Sequence, residues 1–269
     1  LVTEVDHVCL DGKKIKGVSP KSKGNQGLYI LSAWASKERL CIGQQKVEDK
    51  SNEITAIPQL LDSLDLKGSI VSIDAIGCQK DIASKIITAQ ADYLLALKKN
   101  QKLTYQDILW LFETNTPITS KQEWEYDHGR FEQRKCSAIL LNESQQAALF
   151  DDWEGLRAII KIESSRMINE ETKTETRYYL SSRAVDDANY YNALVRNHWG
   201  IENHLHWHLD VTFNEDSSRA RTGYAPENLN ILRKMALQRI DKMEDKLSKK
   251  KRRYRASMNI NYLQKILNM

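Results

Sequence analysis

Three places in the chain hold residues that could do chemistry. Asp11 ends the apolar run VCLD, Asp74 ends IVSID, and the stretch HWGIENHLHWHLD at 198–210 sets His198, His204, His206 and His208 around Glu202 and Asp210. Each has an ordinary alternative, since Asp near Gly is a common turn residue and a histidine on an amphipathic helix often packs. His204 and His208 stand one helical turn apart, as in a zinc-binding helix, but no H-E-x-x-H arrangement and no nearby cysteine accompany them. The carboxylates point elsewhere. A carboxylate that ends an apolar strand sits at a sheet rim, where desolvation is costly without a partner. Two such groups facing each other need a cation between them. Mg²⁺ suits that place because it takes oxygen ligands and keeps waters for substrate phosphate oxygens. A third carboxylate from a helix would complete the set, and Glu202, flanked one turn away by His198 and His206, borders the apolar stripe Leu194, Ile201, Leu205, Leu209.

Those carboxylates face one another only if the elements fall in a particular order. VDHVCLDG, GLYILSAWAS and LCIGQQKV read as three strands separated by turns, and SNEITAIPQLLDSLD reads as a helix capped at Ser51 or Asn52. GSIVSIDAIG is a β-branched run of the kind buried on both sheet faces. QKDIASKIITAQ, DYLLALK and LTYQDILWLFET continue as helix, strand and helix. The order β-β-β-α-β-α-β-α predicts a ribonuclease-H-like α/β fold, a mixed sheet flanked by helices in which the first and fourth strands are neighbours. Charged, alternating segments from 118 to 182 predict two or three hairpins, a β-rich insertion in the core. Helix resumes near Asp186, and NILRKMALQRIDKME is a final helix. The expected organisation is a first part of the core at 1–117, the insertion at 118–182, the C-terminal core helices at 183–240 and a basic tail at 241–269.

At 269 residues, with 41% hydrophobic and 28% charged residues, the chain has the composition of a globular protein rather than a disordered or fibrous one. No apolar run is long enough for a membrane span, and the acidic start is unlike a signal peptide. Cys9, Cys41, Cys78 and Cys136 stand singly, as buried thiols of a reducing compartment do, so a cytoplasmic protein is expected. The net charge of +4 is unevenly placed: residues 219–255 hold thirteen Lys and Arg against four Asp and Glu. Such a block is either a solvated helix end or an anion grip.

Taken together, LDGK, KSNEI, LDLKGSIVSIDAIGCQK, DYLLALKKNQ, DHGRFEQR, RYYLSSR and HWGIENHLHWHLDVTFNEDSSRAR followed by APENL resemble the H-repeat-associated transposases of bacterial insertion sequences, within the DDE transposase superfamily. The resemblance spans nearly the whole chain in order, and by it the family's N-terminal region, which precedes the first catalytic Asp, is expected to be absent here. It implies that Asp11, Asp74 and Glu202 are catalytic ligands of Mg²⁺, with Mn²⁺ able to substitute. The reaction would be in-line displacement at DNA phosphodiesters, cutting and joining strands at element ends. Related enzymes place a Tyr and an Arg before this Glu and a Lys after it. Here those positions are Val195, His198 and Leu209, leaving His198, Asn203 or His206 to hold substrate phosphate. Further expected DNA contacts are Lys98, Asn100, Gln101, His128, Arg130, Arg134, Arg219 and Arg221, with Lys249, Lys250, Lys251, Arg252 and Arg253 in the basic tail. The expected partners are double-stranded DNA, as terminal repeats and target, and a second copy of the chain in a synaptic homodimer at the bacterial nucleoid. A DNA-binding remnant without activity and a nuclease that does not transpose are the competing readings.

Overall fold

The computed structural model describes residues 6–18, 27–48, 52–122, 124–127, 130–168 and 171–269. It divides into two compact units, one formed by 1–10 and 61–198, the other by 11–60 and 199–269. Each unit is discontinuous in sequence.

The first unit is a mixed sheet with helices. Its strands are the opening residues of β1 (His7–Ile15), then β4 (Ile70–Ile73), β5 (Asp92–Leu97), β6 (Ile118–Lys121), β7 (Glu125–Asp127), β8 (Arg130–Leu140), β9 (Ala158–Ile168) and β10 (Glu171–Ser181). They lie in the order β1-β4-β5-β10-β9-β8-β6, with β7 on β8. β1, β4 and β5 run parallel, joined by α2 (Lys80–Thr88) between β4 and β5, whereas β10, β9 and β8 are antiparallel. The β-branched IVSI is buried along its whole length, as a strand covered on both faces requires. The hairpins expected at 118–182 are present, and they extend the same sheet through β10 on β5. They also enclose a helix the alternation hides, α4 (Glu143–Leu149), opened by a capping box in which Asn142 and Gln145 satisfy each other's backbone. α3 (Lys102–Thr114) follows β5, and α5 (Ala188–His198) lays Tyr191, Leu194 and Val195 on Ile70, Leu94, Cys136, Ala138, Ile160 and Tyr179.

The second unit holds the rest of β1, β2 (Leu28–Ala35) and β3 (Leu40–Val47) in the order β3-β2-β1, with β2 and β3 antiparallel across a bulge at Ala33 and Trp34. α1 (Glu53–Asp62) begins where the helical spacing predicts; Asn52 stands just before it, and Ser51 lies outside the described residues. After Trp199 come a π-helical turn (Glu202–His206), α6 (Trp207–Val211), α7 (Ala225–Asp241), α8 (Lys249–Met258) and α9 (Ile260–Leu267). The basic C-terminal stretch is therefore helical. α8 and α9 fold back on α7 through Ile240, Met243, Tyr262 and Ile266. Cys9, Cys41, Cys78 and Cys136 form no disulfide among the described residues.

Candidate metal centre and its surroundings

Leu10 and Ile73 are register partners in the parallel pairing of β1 with β4. Asp11 and Asp74 are the next residue of each strand, so two apolar runs of matched register deliver both carboxylates to corresponding positions in the chain. Asp74 closes β4 with extended backbone and caps the short 3-10 turn Ala75–Gly77, its Oδ1 accepting from the Ile76 N–H at 3.1 Å. The loop that begins there is fastened from β5's end. Asn100 donates to the Ala75 carbonyl at 3.0 Å, and Gln101 donates to the Cys78 carbonyl at 2.9 Å. Both amides expected to touch DNA thus hold the loop after Asp74, while Lys98 is exposed.

In the second unit Asp11, Glu202 and His206 converge. One ligand atom from each lies within 4.8 Å of the others, the group of three able to hold a metal among the described residues. His206 is the hub. Its Nδ1 is 3.3 Å from Asp11 Oδ2 and 3.1 Å from Glu202 Oε2. Burial disfavours its charged form, but the hydrogen bonds to Asp11 and then Glu202 outweigh that cost and hold its pKa above the ordinary value. Among the described residues its buried Nε2 has no hydrogen-bond partner. Glu202 and His206 are first and last residues of the π turn, in which the Trp207 N–H reaches back to the Glu202 carbonyl. Helices carry such single-turn insertions often at functional sites. The apolar stripe survives this irregularity, with Ile201, Leu205 and Leu209 all buried.

The residues on the Asp11 strand are fitted closely. The Gly12 N–H donates to Asp11 Oδ1 at 2.9 Å. Above Gly12 lie Tyr29, whose hydroxyl donates to Glu53, and Glu53 itself; a Cβ at this position would stand 2.5 Å from Glu53 Oε1. Lys13, two residues beyond Asp11, is ion-paired to Asp210 at 2.7 Å, Asp216 at 3.5 Å and the fully buried Glu215 at 3.6 Å. Glu215 also accepts from Asn230 and Arg233. His206 and this acid–base cluster are the parts that spacing alone does not reveal, because their partners are up to about 200 residues apart.

Two carboxylates that approach so closely repel unless a positive group separates them. The two carboxylate oxygens, held together by His206, fit a hard divalent cation such as Mg²⁺ or Mn²⁺. His204 and His208 belong to no such group among the described residues; His208 Nδ1 is spent on Thr212 Oγ1 at 3.0 Å, and burial lowers its pKa to about 4.

The remaining basic candidates divide by environment. Lys249 pairs with Asp241 at 2.6 Å, and Arg252 is buried against Asp245 and the Ile240 carbonyl. Arg253 lies 5.6 Å from the Phe213 ring centroid. Lys250, Lys251 and Arg219 are exposed, and Arg221 donates twice to the Gly17 carbonyl. Asn203 is exposed on the π turn, Val195 and Leu209 are core residues, and His198 is bonded to Ser72. Arg134 is half-buried beside Arg196, and burial first, then that neighbour, lowers its pKa. His128 and the side chain of Arg130 lie outside the described residues.

The described helices include none long and apolar enough to cross a membrane. The family model of the transposase DDE domain matches residues 4–238. An Escherichia coli O157:H7 protein named "Putative transposase YncI" is 39% identical, covering 99% of this chain and 70% of its own length. The Escherichia coli K12 protein named "H repeat-associated putative transposase YhhI" is 38% identical, covering 97% of this chain and 71% of its own. A mixed, helix-flanked sheet of the ribonuclease-H type, matched over most of its length by that domain, leaves one conclusion: the chain belongs to the DDE transposase family.

Proposed function

We propose that this chain is the catalytic domain of an insertion-sequence transposase that cuts and joins DNA strands at element ends in a metal-dependent reaction. The observation that carries the reading is the convergence of Asp11, Glu202 and His206 within 4.8 Å of one another. Asp11, Asp74 and Glu202 would hold Mg²⁺ or Mn²⁺. When bound, the cation stabilises charge on the phosphoryl oxygens and eases deprotonation of the attacking water or 3′-hydroxyl. His206 keeps Asp11 and Glu202 within reach of one another. Asn100 and Gln101 fix the turn that Asp74 caps.

Double-stranded DNA is the substrate, both as terminal repeats and as target, and its phosphates are gripped by exposed cations including Lys98, Lys250, Lys251 and Arg219. A homodimer would bring two ends together, and the protein would act at the nucleoid. The segment 118–182 serves as the insertion between the second and third carboxylates. The test is incubation of the protein with Mg²⁺ and DNA carrying element ends, beside Asp74→Ala. End-specific nicking and joining that Asp74→Ala abolishes is the expected result. Cleavage of any DNA regardless of ends would make it a nuclease, and binding without cleavage would make it an inactive remnant.

A further inference from the structure

A second tie joins β1 to the segment that carries Glu202, one step beyond the carboxylates themselves. Asp11 and Lys13 are two apart in extended chain, so both side chains leave the same face of β1, about 6–7 Å apart. His206 and Asp210 are four apart in helical backbone, on one face and about 6 Å apart along the axis. Asp11 Oδ2 meets His206 Nδ1 at 3.3 Å, and Lys13 Nζ meets Asp210 Oδ1 at 2.7 Å. The two rungs are thus spaced alike on strand and helix, and a slide of α6 along β1 would strain both together.

Lys13 can set that spacing because its ammonium is itself held. Its side chain is 11% exposed, and besides Asp210 it faces Asp216 at 3.5 Å and the fully buried Glu215 at 3.6 Å. Asn230 and Arg233, both on α7, donate to the other oxygen of Glu215 at 3.0 and 3.2 Å, and Lys16 pairs with Asp216 at 2.9 Å. Lys13, Lys16 and Arg233 therefore balance Asp210, Glu215 and Asp216. The loop that supplies the last two acids is pressed onto the same stretch of chain. The Lys16 N–H donates to Asp216 Oδ1 at 3.2 Å, and a Cβ on Gly17 would stand 2.5 Å from the carbonyl oxygens of Asp216 and Ser218. What this anchoring opposes lies at the other end of the segment, where Asp11 and Glu202 carry like charge on either side of His206. A helix held by His206 alone is free to swing Glu202 outward; a second rung one turn further along resists that swing.

We propose that Lys13 is a positioning residue: through Asp210 it fixes α6 along β1 and so holds Glu202 where it and Asp11 can share a divalent cation. The rung rests on contacts alone, and the shared cation rests on the function proposed above. Amide hydrogen exchange without metal and isothermal titration with Mn²⁺ alone test the two parts on the full chain. Lys13→Met keeps the apolar stem and removes the charge. Asp210→Asn removes the same rung from its more exposed side and leaves Lys13 paired with Glu215, which guards against loss of the fold. Each variant should speed exchange at 207–211 and weaken Mn²⁺ binding about tenfold, the effect of losing a group that supports metal-binding carboxylates. The double variant should bind no more weakly than the worse single one. Lys16→Met, which takes a cation from Asp216 and leaves the Lys13–Asp210 pair in place, should change neither readout. Wild-type exchange at 207–211 in Asp210→Asn overturns the rung. Faster exchange with unchanged Mn²⁺ affinity overturns its role for Glu202, and losses that multiply in the double variant overturn the coupling of Lys13 to Asp210. A wild-type chain that takes up no Mn²⁺ refutes the shared cation, while exchange still decides the rung. One that binds Mn²⁺ with the expected variant effects but nicks no DNA refutes the transposase function alone.

Discussion

Replacing Gly12 by Ala is the sharpest perturbation available beside the proposed metal centre. The added methyl meets the Tyr29 ring and stands 2.5 Å from Glu53 Oε1 and 2.9 Å from the Tyr29 hydroxyl. Tyr29 must then either stay, at the overpacking cost of about 1–3 kcal/mol, or swing away. If it swings, Glu53, only 8% exposed, loses a charge-assisted hydrogen bond worth about 1.5–3 kcal/mol. These outcomes are alternatives, so the expected loss is roughly 2 kcal/mol rather than their sum. Urea unfolding followed by circular dichroism measures it, with Tyr29→Ala as the second arm of a double-mutant cycle. In the Tyr29→Ala background the Gly12→Ala cost should shrink well below its value in wild type, because the ring it strikes is gone. Equal costs in both backgrounds would refute the steric argument. Since the Gly12 N–H also holds Asp11 Oδ1, DNA nicking should fall in Gly12→Ala by more than the unfolded fraction accounts for.

Other consequences follow from the same geometry. His206→Gln should raise the Mn²⁺ concentration needed for half-maximal binding by about 10–100-fold, the usual effect of losing a group that orients metal-binding carboxylates; isothermal titration with Mn²⁺ alone reads it, and unchanged affinity would contradict the role given to His206. His7 has a folded pKa of about 3 against an ordinary 6.5, so below pH 6.5 the unfolded chain takes up a proton that the folded chain refuses. Stability from this group is complete above pH 6.5 and falls by up to about 1.4 kcal/mol per pH unit until pH reaches about 3; His7→Asn should flatten the urea midpoint between pH 6.5 and 4.5, and an equal slope in both proteins would count against it. Arg252→Ala removes a buried cation that ties Asp245 and the Ile240 carbonyl together and should lower the unfolding midpoint, whereas Lys250→Ala with Lys251→Ala should leave the midpoint alone and lower the salt dependence of DNA binding. The opposite pattern would place the DNA grip on Arg252.

The legibility of this chain in its sequence varies with the range of the interaction. The β1–β4 pairing and the delivery of Asp11 and Asp74 were readable because an apolar run that stops at an acid marks both a strand and its end. The stripe Leu194, Ile201, Leu205, Leu209 gave the late helix and the side on which Glu202 lies. That same stripe concealed the turn at Trp199 and the π insertion, since the hydrophobic pattern tolerates one extra residue where a continuous α-helix is expected. His206 looks like one histidine among four until tertiary contact places Asp11 beside it. α4 was signalled by Asn142 and Gln145 at capping-box spacing, but short helices lose to the surrounding alternation. Asn100 and Gln101 read as DNA contacts, whereas the structure spends their amides on backbone carbonyls 25 and 23 residues away. The basic block at 249–253 looked uniform by charge, yet burial of Arg252 and the Lys249–Asp241 pair separate structural cations from exposed ones.

The central claim is that Asp11, Asp74 and Glu202 work as one metal-holding unit. Its most direct test is the Mg²⁺-dependent nicking rate of end-bearing DNA by Asp11→Asn, Asp74→Asn and Glu202→Gln, alone and in pairs. Groups that act together are grossly non-additive, so each single change should cost on the order of 10³-fold or more and each pair no more than its worse member. Small losses that multiply from one variant to the next, or an Asp74→Asn protein that nicks at the wild-type rate, would contradict it.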